Sequence, residues 1–146
     1  MAIVALIDTN VWVSALINPN GFPAKARDAW LAGRYKIVVS KPLLEELEDV
    51  LHRPRIQQRF GVTEARAEEL LLLITEKATP IEISGDLHLC RDPRDDMLLE
   101  TAIVGGATHI VSRDEDITRD LELLAQLEKR GMRAVTVSRF LAEVGK

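Results

Sequence analysis

Ile3-Val4-Ala5-Leu6-Ile7-Asp8-Thr9-Asn10 decides the fold of this chain. Five apolar residues run without interruption into a carboxylate, a hydroxyl and an amide. A short apolar run bounded by polar residues reads as a strand buried on both faces, as in a parallel sheet. Asp8 then stands at the strand's carboxyl end, the edge at which open α/β sheets bind ligands. Capping of the following helix would also account for Asp8, Thr9 or Asn10, since all three types cap well. What separates the two readings is whether other carboxylates arrive at the same edge.

Outward from this stretch, strands and helices alternate. Residues 10–17 continue as a short helix, and Asn18-Pro19-Asn20-Gly21 is a loop by composition. Pro23 opens a helix over 23–32 that Gly33 stops. A second strand covers 36–39. Ser40 is placed to cap a helix with Pro42 in its first turn, running to about 52 before Pro54. Thr63 caps a longer helix over 64–77, and a third strand covers 79–83 before the Ser84-Gly85 turn. A helix over 94–104 stops at Gly105-Gly106, and a fourth strand covers 109–111. One helix is expected over 117–130, a fifth strand over 133–137, and a final helix capped by Ser138. Strands alternating with helices predict an α/β fold in three α/β/α layers, its parallel sheet having about five strands. No repeat, linker or low-complexity segment divides residues 1–146, so a single domain is expected.

Composition excludes several classes. Apolar content of 47% and charged content of 29% are ordinary for a globular chain that buries a core without staples. The one cysteine, Cys90, cannot form an intramolecular disulfide and favours an intracellular, cytoplasmic setting. No apolar run reaches the roughly 18 residues of a membrane span, and no basic segment precedes the first apolar stretch, so neither a span nor a secretory signal is expected. The formal charge of −4, with 19 bases against 23 acids, argues against a nucleic-acid partner only weakly, because placement matters more than the sum.

The acids are not scattered. In the helix that begins near Pro42, Leu43, Leu44, Leu47, Val50 and Leu51 form one face, with Glu45 and Asp49 nearly opposite and solvated. Glu46 and Glu48 flank the buried face. Glu46 lies nearer the helix start, hence nearer the sheet edge. Asp92, Asp95 and Asp96 open the helix over 94–104, where Asp95 flanks the inward face and Asp96 is expected to point further toward solvent. Carboxylates in a first turn suit the helix dipole, by roughly 0.3–1 kcal/mol each. Ser112, Asp114 and Asp116 follow the fourth strand as Asp8 follows the first. Four segments thus deliver carboxylates to one edge, an arrangement that needs a compensating cation. Oxygen ligands without a cysteine or histidine set point to Mg²⁺ or Mn²⁺ rather than zinc. His52, His88 and His109 fall on different elements without ligand spacing.

LIDTNVWVSAL (6–16), VVSKPLLEELEDVLHRP (38–54), RDPRDDMLLETA (91–102) and HIVSRDED (109–116), in this order, resemble the PIN domain family, and within it the bacterial toxin branch of VapC-like ribonucleases. The resemblance covers essentially the whole chain. It implies a divalent-metal-dependent endoribonuclease acting on single-stranded RNA, partnered by an antitoxin. Asp8 matches the family's first-strand aspartate and Glu46 its helix glutamate. Asp95 matches the third acid, with Asp92 as helper, and Asp114 and Asp116 share the last acidic position. Asn10 and Ser112 match polar positions that support the metal shell. Setting six site acids aside leaves fewer acids than bases, a slightly basic remaining surface. Arg27, Lys41, Arg91, Arg94 and Arg113 are candidates for phosphate contacts there. Trp12 is the aromatic nearest the motif, and reads as core at least as well as a stacking platform.

Other readings stay open. A haloacid-dehalogenase-type phosphatase also begins with an aspartate after an apolar strand, but needs a second aspartate where this chain has Asn10. A receiver domain needs a lysine after a late strand, where Ser138 follows Val137. A PIN-like module that binds RNA or protein without turnover would keep the fold and lose the acids, which are all present. The resemblance also implies a homodimer. Leu70-Leu71-Leu72-Leu73-Ile74 spans more than the single stripe a surface helix needs, and places that helix at or near the interface.

Overall fold

The computed structural model describes residues 2–89, 92–113 and 115–145, the side chains of Glu115 and Asp116 excepted. Strand β1 (Val4–Ile7) pairs in parallel with β2 (Lys36–Ser40) on one side and β4 (His109–Val111) on the other. Beyond them lie β3 (Thr79–Ile81) and β5 (Arg133–Val135), giving five parallel strands in the order β3-β2-β1-β4-β5. Chain order reverses direction across the sheet between β1 and β4. At such a reversal the connections leave to opposite sides, and a crevice opens at the carboxyl ends of the two strands.

The apolar run of β1 is explained by two cores. Ala5 and Ile7 face one cluster with Val11, Trp12, Trp30, Leu47, Leu70, Ile74 and Phe140. Leu6 faces the other, with Leu98, Leu99, Ala102, Ile110, Ile117 and Leu127. Ile37 and Val38, and Val111 and Ile110, divide in the same way. The first core is built with helices α1 (Thr9–Ile17), α2 (Phe22–Leu31), α3 (Lys41–Leu51), α4 (Glu64–Lys77) and α8 (Val137–Val144). The second is built with α5 (Pro93–Val104), α6 (Glu115–Thr118) and α7 (Leu121–Lys129). This is the expected α/β/α arrangement. Trp12 is core: it is buried and packs edge-on against Trp30 at 5.6 Å. Pro80 lies in β3, an edge strand that tolerates its missing donor. Gly105 lets the end of α5 press on the sheet, since a Cβ there would come within 3.1 Å of Val38 and Ile81.

Several local expectations are corrected. Ser40 precedes α3 but its side chain does not cap it; its hydroxyl instead accepts from Thr101 Oγ1 at 2.8 Å. Ser138 lies inside α8, and Thr136 is the cap, accepting from Arg139 N, so β5 ends two residues before the expected 137. The helix expected over 117–130 is two, because Asp120 accepts from Leu123 N and starts a second one. Residues Arg55–Arg59 form a π-helical turn after Pro54 that no apolar period announced. In α4, Leu70 and Ile74 are buried in the chain's own core and Leu72 is 59% exposed. Among the described residues no helix is long and apolar enough to cross a membrane.

Candidate metal centre at the carboxyl edge of the sheet

Asp8 stands at the crevice between β1 and β4. Its backbone N–H extends the ladder to Val111 O (2.9 Å), so the sheet itself fixes its Cα. Its Oδ1 accepts from Thr9 N (2.7 Å), capping α1, and its Oδ2 accepts from Ser112 Oγ (2.7 Å). Ser112 is fully buried, and its N–H donates to Val135 O (3.2 Å). The capping reading of Asp8 therefore accounts for one oxygen, while the other turns toward β4. Asn10 joins the same two segments, its Oδ1 accepting from Arg113 N (3.3 Å), and Arg113 Nη1 donates to Ser14 Oγ (2.6 Å).

Helix α3 brings in Glu46. The helical phase holds: Glu45 and Asp49 are exposed, whereas the Glu46 side chain is 17% exposed. Glu46 Oε2 accepts from Thr9 Oγ1 (3.3 Å), which places α3 against the Asp8-Thr9 corner. Thr9 was not among the expected site residues. Its position between Asp8 and Asn10 was the available signal.

Helix α5 brings in Asp92, Arg94 and Asp95. Asp92 caps the helix, its Oδ1 accepting from Arg94 N (2.9 Å), and Asp95 is half-buried. Arg94 Nη1 reaches across to Glu46 Oε1 at 3.1 Å. Burial lowers the Arg94 pKa, and the attraction of Glu46, Asp8, Asp92 and Asp95 outweighs it and holds the guanidinium above its ordinary range. One cation thus sits in the field of four carboxylates from three elements. Hydrogen bonds bring Asp8, Glu46, Thr9, Asn10 and Ser112 together at the edge, and Arg94 ties the start of α5, with Asp92 and Asp95, to Glu46. Asp114 lies outside the described residues, as do the side chain of Asp116 and Arg91. Arg27 pairs with its neighbour Asp28 and Lys41 with Glu45.

The remaining acids of α5 do something else. Asp96, expected toward solvent, is buried, and accepts from Leu89 N at 2.8 Å. Glu100, one turn on, is buried as well. Its Oε2 accepts from Ser84 N (2.7 Å), Ser84 Oγ (3.1 Å) and Gly85 N (3.2 Å), and its Oε1 from Leu87 N (3.3 Å). Burial pushes the Glu100 carboxyl up, and these four bonds outweigh it and hold the carboxyl below its ordinary value. Neither role was read from the sequence. The signal was the spacing of four along α5 beside a stretch, 84–89, whose backbone donors have no strand or helix to satisfy them.

The donor set at the edge is carboxylate oxygen backed by hydroxyls, the chemistry that suits a hard divalent cation. Among the described residues, no three such side chains stand close enough together to hold an ion as the structure is arranged. The histidines lie elsewhere: His52 contacts Glu48 O, and buried His109 bridges Thr108 and Glu143. A depression of about 540 Å³ is lined by Thr118, Arg119, Glu128, Arg133, Thr136 and Arg139 and by none of the candidate acids.

A family model described as the PIN domain matches residues 4–116, from β1 through the acidic segment after β4. The chain belongs to the PIN domain family. PIN domains are generally nucleases. This PIN domain is 28% identical over 143 residues to the uncharacterised protein MJ1680 of Methanocaldococcus jannaschii, a match covering 97% of this chain and 91% of the relative. Among solved structures it is similar to PAE2754 of Pyrobaculum aerophilum, with a TM-score of 0.62, 20% identity, and 99% and 97% of the two chains covered. It is also similar to VapBC2 of Rickettsia felis, solved bound to a DNA fragment of its promoter, with a TM-score of 0.56, 15% identity, and 92% and 98% covered. At these identities the two structures speak for the fold.

Proposed function

We propose that this PIN domain is a Mg²⁺- or Mn²⁺-dependent endoribonuclease acting on single-stranded RNA, and the toxin of a toxin–antitoxin pair. The observation that carries the reading is the corner at the β1–β4 crevice where Thr9 links Asp8 to Glu46 and Arg94 of α5 pairs with Glu46. The toxin part draws on the fold likeness to VapBC2.

Asp8, Glu46 and Asp95 would hold the ion, with Asp92, Asp114 and Asp116 as further ligands. When bound, a divalent ion supplies positive charge to the phosphoryl group and makes water a usable nucleophile at neutral pH. The chain's own part is orientation. Ser112 and the Thr9 N–H each hold one Asp8 oxygen, so the carboxylate cannot turn away from the crevice. Thr9 Oγ1 does the same for Glu46, and Asn10 ties the segment after β4 to α1. Asp92 and Arg94 are exposed at this edge, which suits a strand of polymer passing over it. A PIN module that binds without cleaving is the alternative outcome of the test.

That test is a cleavage gel on single-stranded RNA, with Mg²⁺, with Mn²⁺ and with chelator. Cleavage that requires the ion and disappears in Asp8→Asn supports the reading; no cleavage with either ion overturns it. The same reading extends to a homodimer with α4 at the interface through exposed Leu72. Light scattering at tens of micromolar that gives a monomer overturns this extension.

A further inference from the structure

The site contains a cation of its own. Arg94 projects from the first turn of α5 and reaches α3, where its Nη1 lies 3.1 Å from Glu46 Oε1. Its side chain is 57% exposed, so it is held by charge and not by packing. The other Glu46 oxygen is occupied by the Thr9 hydroxyl. A divalent ion approaching these carboxylates therefore meets a resident positive charge, and finds the free face of Glu46 turned to a guanidinium.

We propose that Arg94 is the resident counter-cation of this centre: it pairs with Glu46 while no metal is bound, and is displaced from Glu46 when a divalent ion enters. The proposal rests on the metal-binding reading above and adds a competition that the acids alone do not contain. Packed carboxylates repel one another, so a metal-free site without a counter-charge costs stability. A mobile arginine removes that cost without closing the site, because it leaves by rotation of exposed side-chain bonds. Its displacement opens Glu46 and puts a guanidinium at the rim, where a planar donor suits a phosphate. Metal binding then comes first and prepares the edge for an anionic strand.

The experiment is calorimetric titration of Mn²⁺ into the whole chain, paired with thermal melts of the metal-free protein. Arg94→Gln keeps a polar side chain and removes the charge. It is expected to bind Mn²⁺ roughly fivefold more tightly, the effect of one unit charge about 8 Å from a divalent ion in a solvent-like dielectric. Its metal-free form is expected to melt lower than the parent, and its gain on adding Mn²⁺ to be larger. Arg53→Gln is the control: Arg53 pairs with exposed Asp49 one turn away along the helix, and its loss changes the net charge equally. Parent-like Mn²⁺ affinity in Arg94→Gln overturns the counter-cation, as does an equal tightening in Arg53→Gln. Absence of Mn²⁺ binding in the parent and in Arg94→Gln alike overturns the metal reading with it.

Discussion

Two groups of carboxylates meet helix α5, and they are balanced by different means. Asp96 and Glu100 are buried and face backbone N–H groups of residues 84–89. Asp92 and Asp95 open the same helix beside Arg94, an exposed guanidinium that pairs with Glu46 of α3 and lies in the field of Asp8 as well. Backbone donors are fixed in place and cannot leave. An exposed arginine can. The first arrangement converts negative charge into a rigid loop and the second leaves it exchangeable. A carboxylate's surroundings, more than its burial, thus separate a structural acid from one available to a ligand.

The largest expected effects fall on the exchangeable group. Asp8→Asn keeps the helix cap, since Asn caps as well as Asp, and removes one of the clustered charges. It should lower RNA cleavage to background while the metal-free protein melts at or above the parent's temperature. Mg²⁺ or Mn²⁺ should raise the parent's melting temperature by mass action, and raise it less in Asp8→Asn. An active Asp8→Asn protein would remove the distinction between the two groups. Next in size is Ser112→Ala. Its buried hydroxyl donates to Asp8, and groups that orient a ligand in this way typically cost about 10–100-fold in metal affinity or activity when removed. A loss of fold instead of activity would make Ser112 a core residue only.

Most of the architecture was legible because it rests on period and punctuation. The five strands are where apolar runs meet polar ends, and Thr63, Gly33 and Gly131 bound their helices as their types require. The phase of α3 separated Glu46 from Glu45 and Asp49 because one face of that helix is strongly apolar. Helix α5 has no such contrast, since Leu98, Leu99, Glu100, Thr101 and Ala102 are all buried. Phase does not tell there which acid is inward, and Asp96, expected toward solvent, is buried. The ion pair between Arg94 and Glu46 joins residues 48 positions apart in sequence and follows from topology alone. The same holds for Ser112 and Asp8, 104 positions apart.

The structural group should give the reverse pattern of the exchangeable one. Glu100→Gln keeps the shape and loses the charge that four donors converge on. It is expected to melt several degrees below the parent, with its shift on adding Mn²⁺ unchanged. The pH dependence follows from the direction of the Glu100 shift. The folded-state value lies below the ordinary 4.5 of the unfolded chain, so the stabilisation is complete above about 4.5. It is lost as pH falls through the depressed folded value. Melts over the acid range should therefore converge for the parent and Glu100→Gln, and separate above it. Parallel curves at all pH values would mean that the carboxylate charge is not what holds the loop.

The smallest expected effects come from a third setting, on the outward face of α3. Glu45 pairs with Lys41 at 3.9 Å and Asp49 with Arg53 at 3.0 Å, each one turn away along the helix and each well exposed. Water already solvates these charges, so pairing them adds little; exposed pairs at this spacing are worth about 0.3–0.5 kcal/mol. Glu45→Gln and Asp49→Asn should each leave cleavage, the metal response and the melting temperature nearly unchanged. Glu46→Gln, between them in sequence, should abolish cleavage without lowering metal-free stability much, because Thr9 can still donate to the amide oxygen. These three positions share one helix and one environment of neighbours in sequence, and differ only in the direction the helix turns them. Equal losses of activity from all three would show that long-range negative charge near the RNA, and not the seat of Glu46 beside Asp8, is what the reaction uses.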